Sequence, residues 1–426
     1  MERNKIFKGK KLLVLAGNFF HSKIVKAAQE MGAYVIVTDY LPLEESPAKL
    51  VADEYWMLST GDIDAVVERC QQEHVDGVLA YCIDTVQHHY YEICQRLGVP
   101  CYGTKEQFDI MTNKRLFKDF CSRHGVDVVP EYTLEDVEND RVTYPVLVKP
   151  SDSRGSRGQT VCFKKQKIQT AVSFASAESK DGKYLIERYM QGAHDMACTY
   201  IVINKTPILV KICDRYLGKK EDNLDRQQIS SVCPSIHADE YVKNVEPHVK
   251  DMIRALGLDF GVVFLQGFLE NGRIYMYDPG LRFPGSDFDI VLKEAIGFDC
   301  PSTFVHYALT GDITSQIGNP INAYQYQGGA CVILSIPVRA GTINKIEGMD
   351  ALKNHEGFYT ATLWHHEGDV IEATGDVRQR AAETCFFVPD RKLIPTYVKY
   401  IYNTLKITDK DGQDMLISKV EPDKMY

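Results

Sequence analysis

The chain has 426 residues, 44% of them hydrophobic and 25% charged, with a formal net charge of -9, which is enough chain for about two to four domains' worth of core. An acidic balance offers no global positive field to a phosphate backbone or an anionic bilayer, so nucleic acid and membrane surfaces are excluded as main partners. The apolar run near the N-terminus is too short and too strand-like for a signal peptide, no stretch approaches a membrane span, and the 12 Cys include no CxxC pair; reduced thiols and a cytoplasmic location are expected.

The first predicted elements are the strand "KLLVLA", a helix through Ile24, Ala27, Ala28 and Met31, and the strand "AYVIVTD". "VDGVLAY" and "GVPCYG" continue the alternation, with "YCIDTVQHHYYEIC" as a helix whose Tyr and Cys residues face the core. Strands alternating with helices predict an open parallel α/β sheet over residues 1–108. A dinucleotide reading with Asp39 as the ribose acid fails, because "NFFHSK" after Gly17 lacks the remaining glycines of the fingerprint.

From about Thr104 the texture changes. "TNKRLFKDFCSRHG" is an amphipathic helix closing on Gly125, and short strands with turns follow. In "EPHVKDMIRALG", Val249, Met252, Ile253 and Leu256 fall on one helical face. Asn271-Gly272 joins two strands as a hairpin turn. Residues 321–426 read as mostly short strands, one helix in "KLIPTYVKYIYNTL", and a possible hairpin in "ITDKDGQDMLISKV".

The chemistry begins at "YPVLVKPSDSRGSRGQTVCF". Lys149 ends an apolar strand, and a small polar loop with Gly155 and Gly158 follows. Glycines let backbone N–H groups approach phosphate oxygens, and a strand-borne Lys fixes a positive charge beside them. Alone, this is equally a hairpin turn. It is preceded by Lys114 in "MTNKRLFKDF", and followed by Glu187 in "YLIERYMQGAHD" and by the "FLQ…YDPGLR" hairpin. Two lysines, a Gly loop, a strand-end acid and an acid-x-x-x-Arg hairpin, in this order, resemble the ATP-grasp superfamily, and within it the biotin carboxylase and carbamoyl-phosphate synthase-like ligases.

The resemblance implies a Rossmann-like N-terminal domain (1–108), an ATP-grasp domain (109–320) with a mobile lid at about 126–188, and a β-rich C-terminal part (321–426). Lys114 and Lys149 would bind ATP phosphates, under a lid segment that includes Ser153, Gly155, Ser156 and Gly158. Glu187 would accept from the adenine amino group, with the backbone of Arg188, Tyr189 and Met190 reading the ring edge. His194, beside Asp195, would face the ribose or the phosphates, and Lys211 the ATP cleft. Arg226, Gln227 and Gln228 fall in a loop that contacts substrate or phosphate in similar folds.

The hairpin departs from the pattern that the resemblance implies, in which two acids and an Asn hold Mg²⁺ (or Mn²⁺). The matching positions are Gln266, Asp278 and Gly280, with Arg282 kept as the catalytic guanidinium. Mg²⁺ needs hard oxygen ligands, and Gly280 offers none. Glu270 is the spare acid, at the wrong end of its strand. The implied activity is ADP-forming C–N ligation, in which a small-molecule carboxylate becomes an acyl phosphate for an amine, in a possible homodimer. The alternatives are a catalytically inactive ATP-binding protein with a degenerate metal site, and a bicarbonate-using or carbamoyl-phosphate-forming enzyme. His88 and His89, and His365 and His366 at a turn, read as bland.

Overall fold

The computed structural model describes residues 5–151, 158–190, 192–224, 227–313 and 323–425. The N-terminal strands Lys11–Leu15, Tyr34–Thr38, Glu54–Trp56 and Gly77–Leu79 form a parallel sheet in which the first strand pairs with both the second and the fourth. "LLVL" is buried throughout, as a parallel strand covered on both faces requires. Asp39 has a structural task here: its carboxylate accepts from the Gly17 and Leu41 N–H groups, at 2.8 and 3.0 Å, and ties the first loop to the second strand. The helix expected over "YCIDTVQHHYYEIC" opens with a 3-10 turn at Asp84–Val86 and is α-helical from Gln87 to Leu97. Residues before it belong to the loop at the carboxyl end of the sheet, where open α/β sheets present their ligands.

A small antiparallel sheet follows, ordered Glu131–Tyr132, Tyr184–Arg188, Val146–Pro150 and Thr160–Cys162. It closes its own core with Val146, Val148, Ile168, Val172 and Ile186. The helix Glu246–Leu256 buries Val249, Met252, Ile253 and Leu256. At roughly 1.5–3 kcal/mol for each fully buried aliphatic side chain, this face holds the helix against the sheet beneath.

That sheet has eight antiparallel strands: Arg273–Leu281, Phe260–Glu270, His194–Ile203, Thr206–Leu217, Gln228–Cys233, Ala330–Pro337, Arg380–Val388 and Phe358–Leu363. It runs without a break from the Asn271-Gly272 hairpin into the C-terminal strands. Its two faces differ, as period-2 alternation dictates. Val332, Leu334, Ile336 and Phe386 enter a C-terminal core with Ile394, Val398 and Ile401 of the helix Ile394–Thr404. Cys331, Ile333 and Cys385 point the other way, into the core shared with the N-terminal sheet. The hairpin expected in "ITDKDGQDMLISKV" amounts to one bridge, Thr408 to Asp414; Lys406–Thr408 pairs instead with Lys345–Glu347.

Candidate active site

Asn113 caps the helix Lys114–Arg123, its side-chain oxygen accepting from Arg115 and Leu116 N–H groups at 3.0 and 3.2 Å. The cap fixes Lys114 at the first helical position and puts Lys118 one turn later on the same face. Both lysines are buried. Lys118 Nζ meets Glu187 at 2.5 Å, Glu131 at 2.9 Å and the Val129 carbonyl at 2.8 Å. Lys149 Nζ lies 2.6 Å from the other Glu187 oxygen. Burial alone would raise the Glu187 pKa, but Lys149 and Lys118 outweigh it and hold the carboxyl below its usual range. Burial also lowers the Lys149 pKa, and Lys118 and Lys114 reinforce this, so the shared Glu187 charge does not fully compensate Lys149.

The structure thus brings Lys114, Lys149 and Glu187 together, and adds Lys118. The Glu187 carboxylate is turned onto two ammoniums, while the Arg188 and Tyr189 N–H groups bond the Pro130 and Pro145 carbonyls at 2.9 and 3.1 Å. Arg188 pairs with Glu270 at 2.7 Å, which accounts for the spare acid; Met190 is buried. Gly158 has φ +73°, and a Cβ there would come within 2.7 Å of Pro150 and 2.9 Å of Glu178. Ser153, Gly155, Ser156 and Arg226 lie outside the described residues.

On the eight-stranded sheet, directly paired residues share a face. One row reads Asp278, Gln266, Ala197, Cys213 across four strands, and the next reads Gly280, Phe264, Thr199, Lys211. Asp278 therefore stands opposite Gln266, and Lys114 reaches over to it at 3.1 Å. Lys211 is buried, with Nζ 4.5 Å from the centre of the Phe288 ring. Beside it burial would raise the Cys213 pKa, but the Cys233 hydrogen bond and the Lys211 and Arg215 charges bring it down to about 7. Asp195 shares this face: its carboxylate accepts from Arg215 at 2.8 and 2.9 Å and from Tyr277 at 3.3 Å. His194 turns to the opposite face, where Nε2 lies 2.8 Å from Asp214, a carboxylate that also accepts from Arg391 at 2.9 Å. Arg282 Nε lies 2.7 Å from Asp84, an acid of the N-terminal domain.

The Asp278–Gln266 pair passes a chemical test for a hard divalent cation: both supply oxygen, side by side on one face. Gly280 adds an opening, since a Cβ there would meet nothing nearer than 3.6 Å. Among the described residues no three His, Cys, Asp or Glu side chains form a group that could hold a metal by themselves.

Residues 113–259 match the family described as the carbamoyl-phosphate synthase L chain, ATP binding domain. A formate-dependent phosphoribosylglycinamide formyltransferase of Prochlorococcus marinus is 22% identical over 325 residues, 70% of this chain and 80% of that protein. The L-amino acid ligase from Bacillus licheniformis superposes with a TM-score of 0.75 at 17% identity, covering 95% of this chain and 99% of that one. The biotin carboxylase domain of Hydrogenobacter thermophilus 2-oxoglutarate carboxylase, solved with MgADP and bicarbonate, gives a TM-score of 0.76 at 17% identity over 95% of this chain and 96% of that one. Residues 113–259 thus carry the ATP-binding domain of that family, and the fold of the chain is the ATP-grasp fold.

Two residues of this site escape a reading along the sequence. Lys118 carried a signal, four residues after Lys114 on an amphipathic helix. Asp84 carried none, because its partner lies 198 positions away, at Arg282.

Proposed function

We propose that the chain is an ATP-dependent ligase that joins a small-molecule carboxylate to an amine with release of ADP and phosphate. The observation that carries this is Lys114 paired with Asp278 beside Gln266, with Arg282 in electrostatic reach of Asp278 and Lys149 in that of Lys114, a set of cations about an acid that can hold a metal-bound triphosphate. The carboxylate oxygen attacks the γ-phosphorus, the bond to the β-phosphate oxygen breaks, and an acyl phosphate forms. The amine nitrogen then attacks the carbonyl carbon, and phosphate leaves with the original carboxylate oxygen while the amine proton passes to solvent.

Lys114 and Lys149 hold phosphate oxygens as fixed charges, and Arg282 faces the charge that develops on the transferred group. Asp278 and Gln266 would hold Mg²⁺ (or Mn²⁺), which supplies neutralisation of the phosphate charge. The work of the chain is positioning and exclusion of water. All 12 cysteines are thiols rather than disulfides, 11 of them buried, which supports a reducing, cytoplasmic setting; no helix among the described residues is long and apolar enough to cross a membrane. A homodimer belongs to the same proposal.

The test is hydroxamate formation from Mg-ATP, pooled carboxylic acids and hydroxylamine as a surrogate amine. Hydroxamate that requires ATP and a carboxylate, and is lost in Arg282→Ala, supports the ligase. Gln266 and Gly280 favour one second reading, a protein that binds the nucleotide without turning it over. ADP binding with no hydroxamate in the native chain, and turnover only after Gln266→Glu with Gly280→Asn, establishes that reading instead.

A further inference from the structure

Gly280 has no steric or conformational need to be glycine. Its φ lies outside the left-handed region, and a Cβ would meet its nearest neighbours at an ordinary 3.6 Å. One of those neighbours is Asp84 Oδ1, so the space beside Gly280 already holds a carboxylate from another domain.

Three contacts fix Asp84 there. Phe283 N–H donates to the Tyr81 carbonyl at 3.1 Å, Gln87 Nε2 donates to the Leu281 carbonyl at 2.6 Å, and the Tyr81 and Phe283 rings stack at 5.1 Å. These bonds, one from the backbone and one from a fully buried Gln87, set the loop on the end of the hairpin strand and bring Asp84 alongside Gly280. Asp278 and Gly280 are two residues apart on one face of that strand, about 7 Å between Cα atoms. Asp84 Oδ1 thus lies where a Gly280 side chain would begin, on the side of the strand that carries Asp278.

We propose that Asp84 is the second anionic ligand of the divalent metal, supplying from the N-terminal domain the carboxylate that the hairpin lacks. With Asp278 and the Gln266 amide it completes a hard oxygen set carrying two negative charges. This rests on the nucleotide reading above. Without nucleotide each acid is held by a cation, Asp278 by Lys114 at 3.1 Å and Asp84 by Arg282 at 2.7 Å. A triphosphate offers both cations other oxygens and releases both acids to the metal. Metal and nucleotide binding are thereby tied to the docking of the N-terminal loop on the hairpin.

The test measures Mn²⁺ binding to the whole chain by electron paramagnetic resonance at saturating ADP, and ADP binding by calorimetry in EDTA. Asp84→Asn should weaken Mn²⁺ about tenfold or more, the size expected for loss of a group that tunes a metal site, with ADP affinity in EDTA kept. Asp84→Asn with Gly280→Asp returns the charge to the hairpin and should restore Mn²⁺ binding to within about threefold of the native chain. Unchanged Mn²⁺ binding in Asp84→Asn, or a loss that Gly280→Asp does not repair, overturns the proposal while leaving the nucleotide reading intact. A native chain that binds no ADP overturns the nucleotide reading, and this proposal with it.

Discussion

Replacing Glu187 by Gln keeps its shape and removes its charge from between two ammoniums. Glu187 and Lys149 side chains are each 3% exposed, so water cannot take the place of the lost partner. Lys118 keeps Glu131 at 2.9 Å and the Val129 carbonyl at 2.8 Å, so the cost falls on Lys149. Removing one partner of a buried ion pair costs about 3–5 kcal/mol. The cost has a ceiling, because Lys149 can shed its proton, and its pKa already lies below the usual lysine value through burial. The unfolded chain then binds a proton that the folded variant does not, so the stability of the variant rises with pH. Hydrogen exchange of the amides in Val146–Pro150 and Tyr184–Arg188 reads this locally. At pH 7 the exchange rates of this small sheet should rise more than about a hundredfold, the equivalent of roughly 3 kcal/mol, and the deficit should shrink toward pH 9. Protection within about threefold of the native chain at pH 7 would refute the buried triad as a source of stability.

Other consequences follow from single contacts. Gly158→Ala should destabilise the small sheet by about 1–3 kcal/mol, because its Cβ would lie 2.7 Å from Pro150 at φ +73°; exchange of the same strands checks this. His194 takes its raised pKa first from the Asp214 hydrogen bond, against an opposing effect of burial. Its stabilising contribution is therefore complete below the ordinary value of 6.5 and is lost as pH rises through the higher folded value. His194→Gln should flatten the melting temperature over the range just above that pH, and an unaltered slope would remove His194 as its source. Arg215→Lys should lose the Gln228 and Tyr277 bonds, at 2.7 and 2.6 Å, and cost about 1–3 kcal/mol in urea unfolding.

Local chemistry made much of the molecule legible in its sequence. Asn271 and Gly272 both adopt positive φ, 52° and 74°, the values that the hairpin turn demands. The 3.6-residue period of "EPHVKDMIRALG" assigned its buried face correctly, since one helix sets that pattern. The order of Lys114, Lys149, Glu187 and Arg282 was enough to suggest the superfamily. Other features depend on pairings between distant segments. Nothing within "GGACVILSIP" shows that Cys233 pairs with Cys331 and carries the sheet into the C-terminal strands. Period-2 alternation could have separated His194 from Asp195, but only the register of the neighbouring strands shows that Asp195 shares the face of Asp278. Asp84 does open the helical stretch expected in "YCIDTVQHHYYEIC", as the first residue of a 3-10 turn, but only the Tyr81–Phe283 contact shows that this turn is seated on the hairpin strand.

The central claim is that this cleft transfers the γ-phosphoryl group of ATP to a carboxylate. The most direct measurement uses pooled carboxylic acids labelled with ¹⁸O in the carboxyl group, incubated with the native chain, Mg-ATP and an amine pool, with the released phosphate weighed by mass spectrometry. Transfer through an acyl phosphate predicts phosphate bearing one ¹⁸O, in an amount equal to the ADP formed and absent without amine. Phosphate carrying only unlabelled oxygen would mean that water, not a carboxylate, receives the phosphoryl group, and would contradict the account.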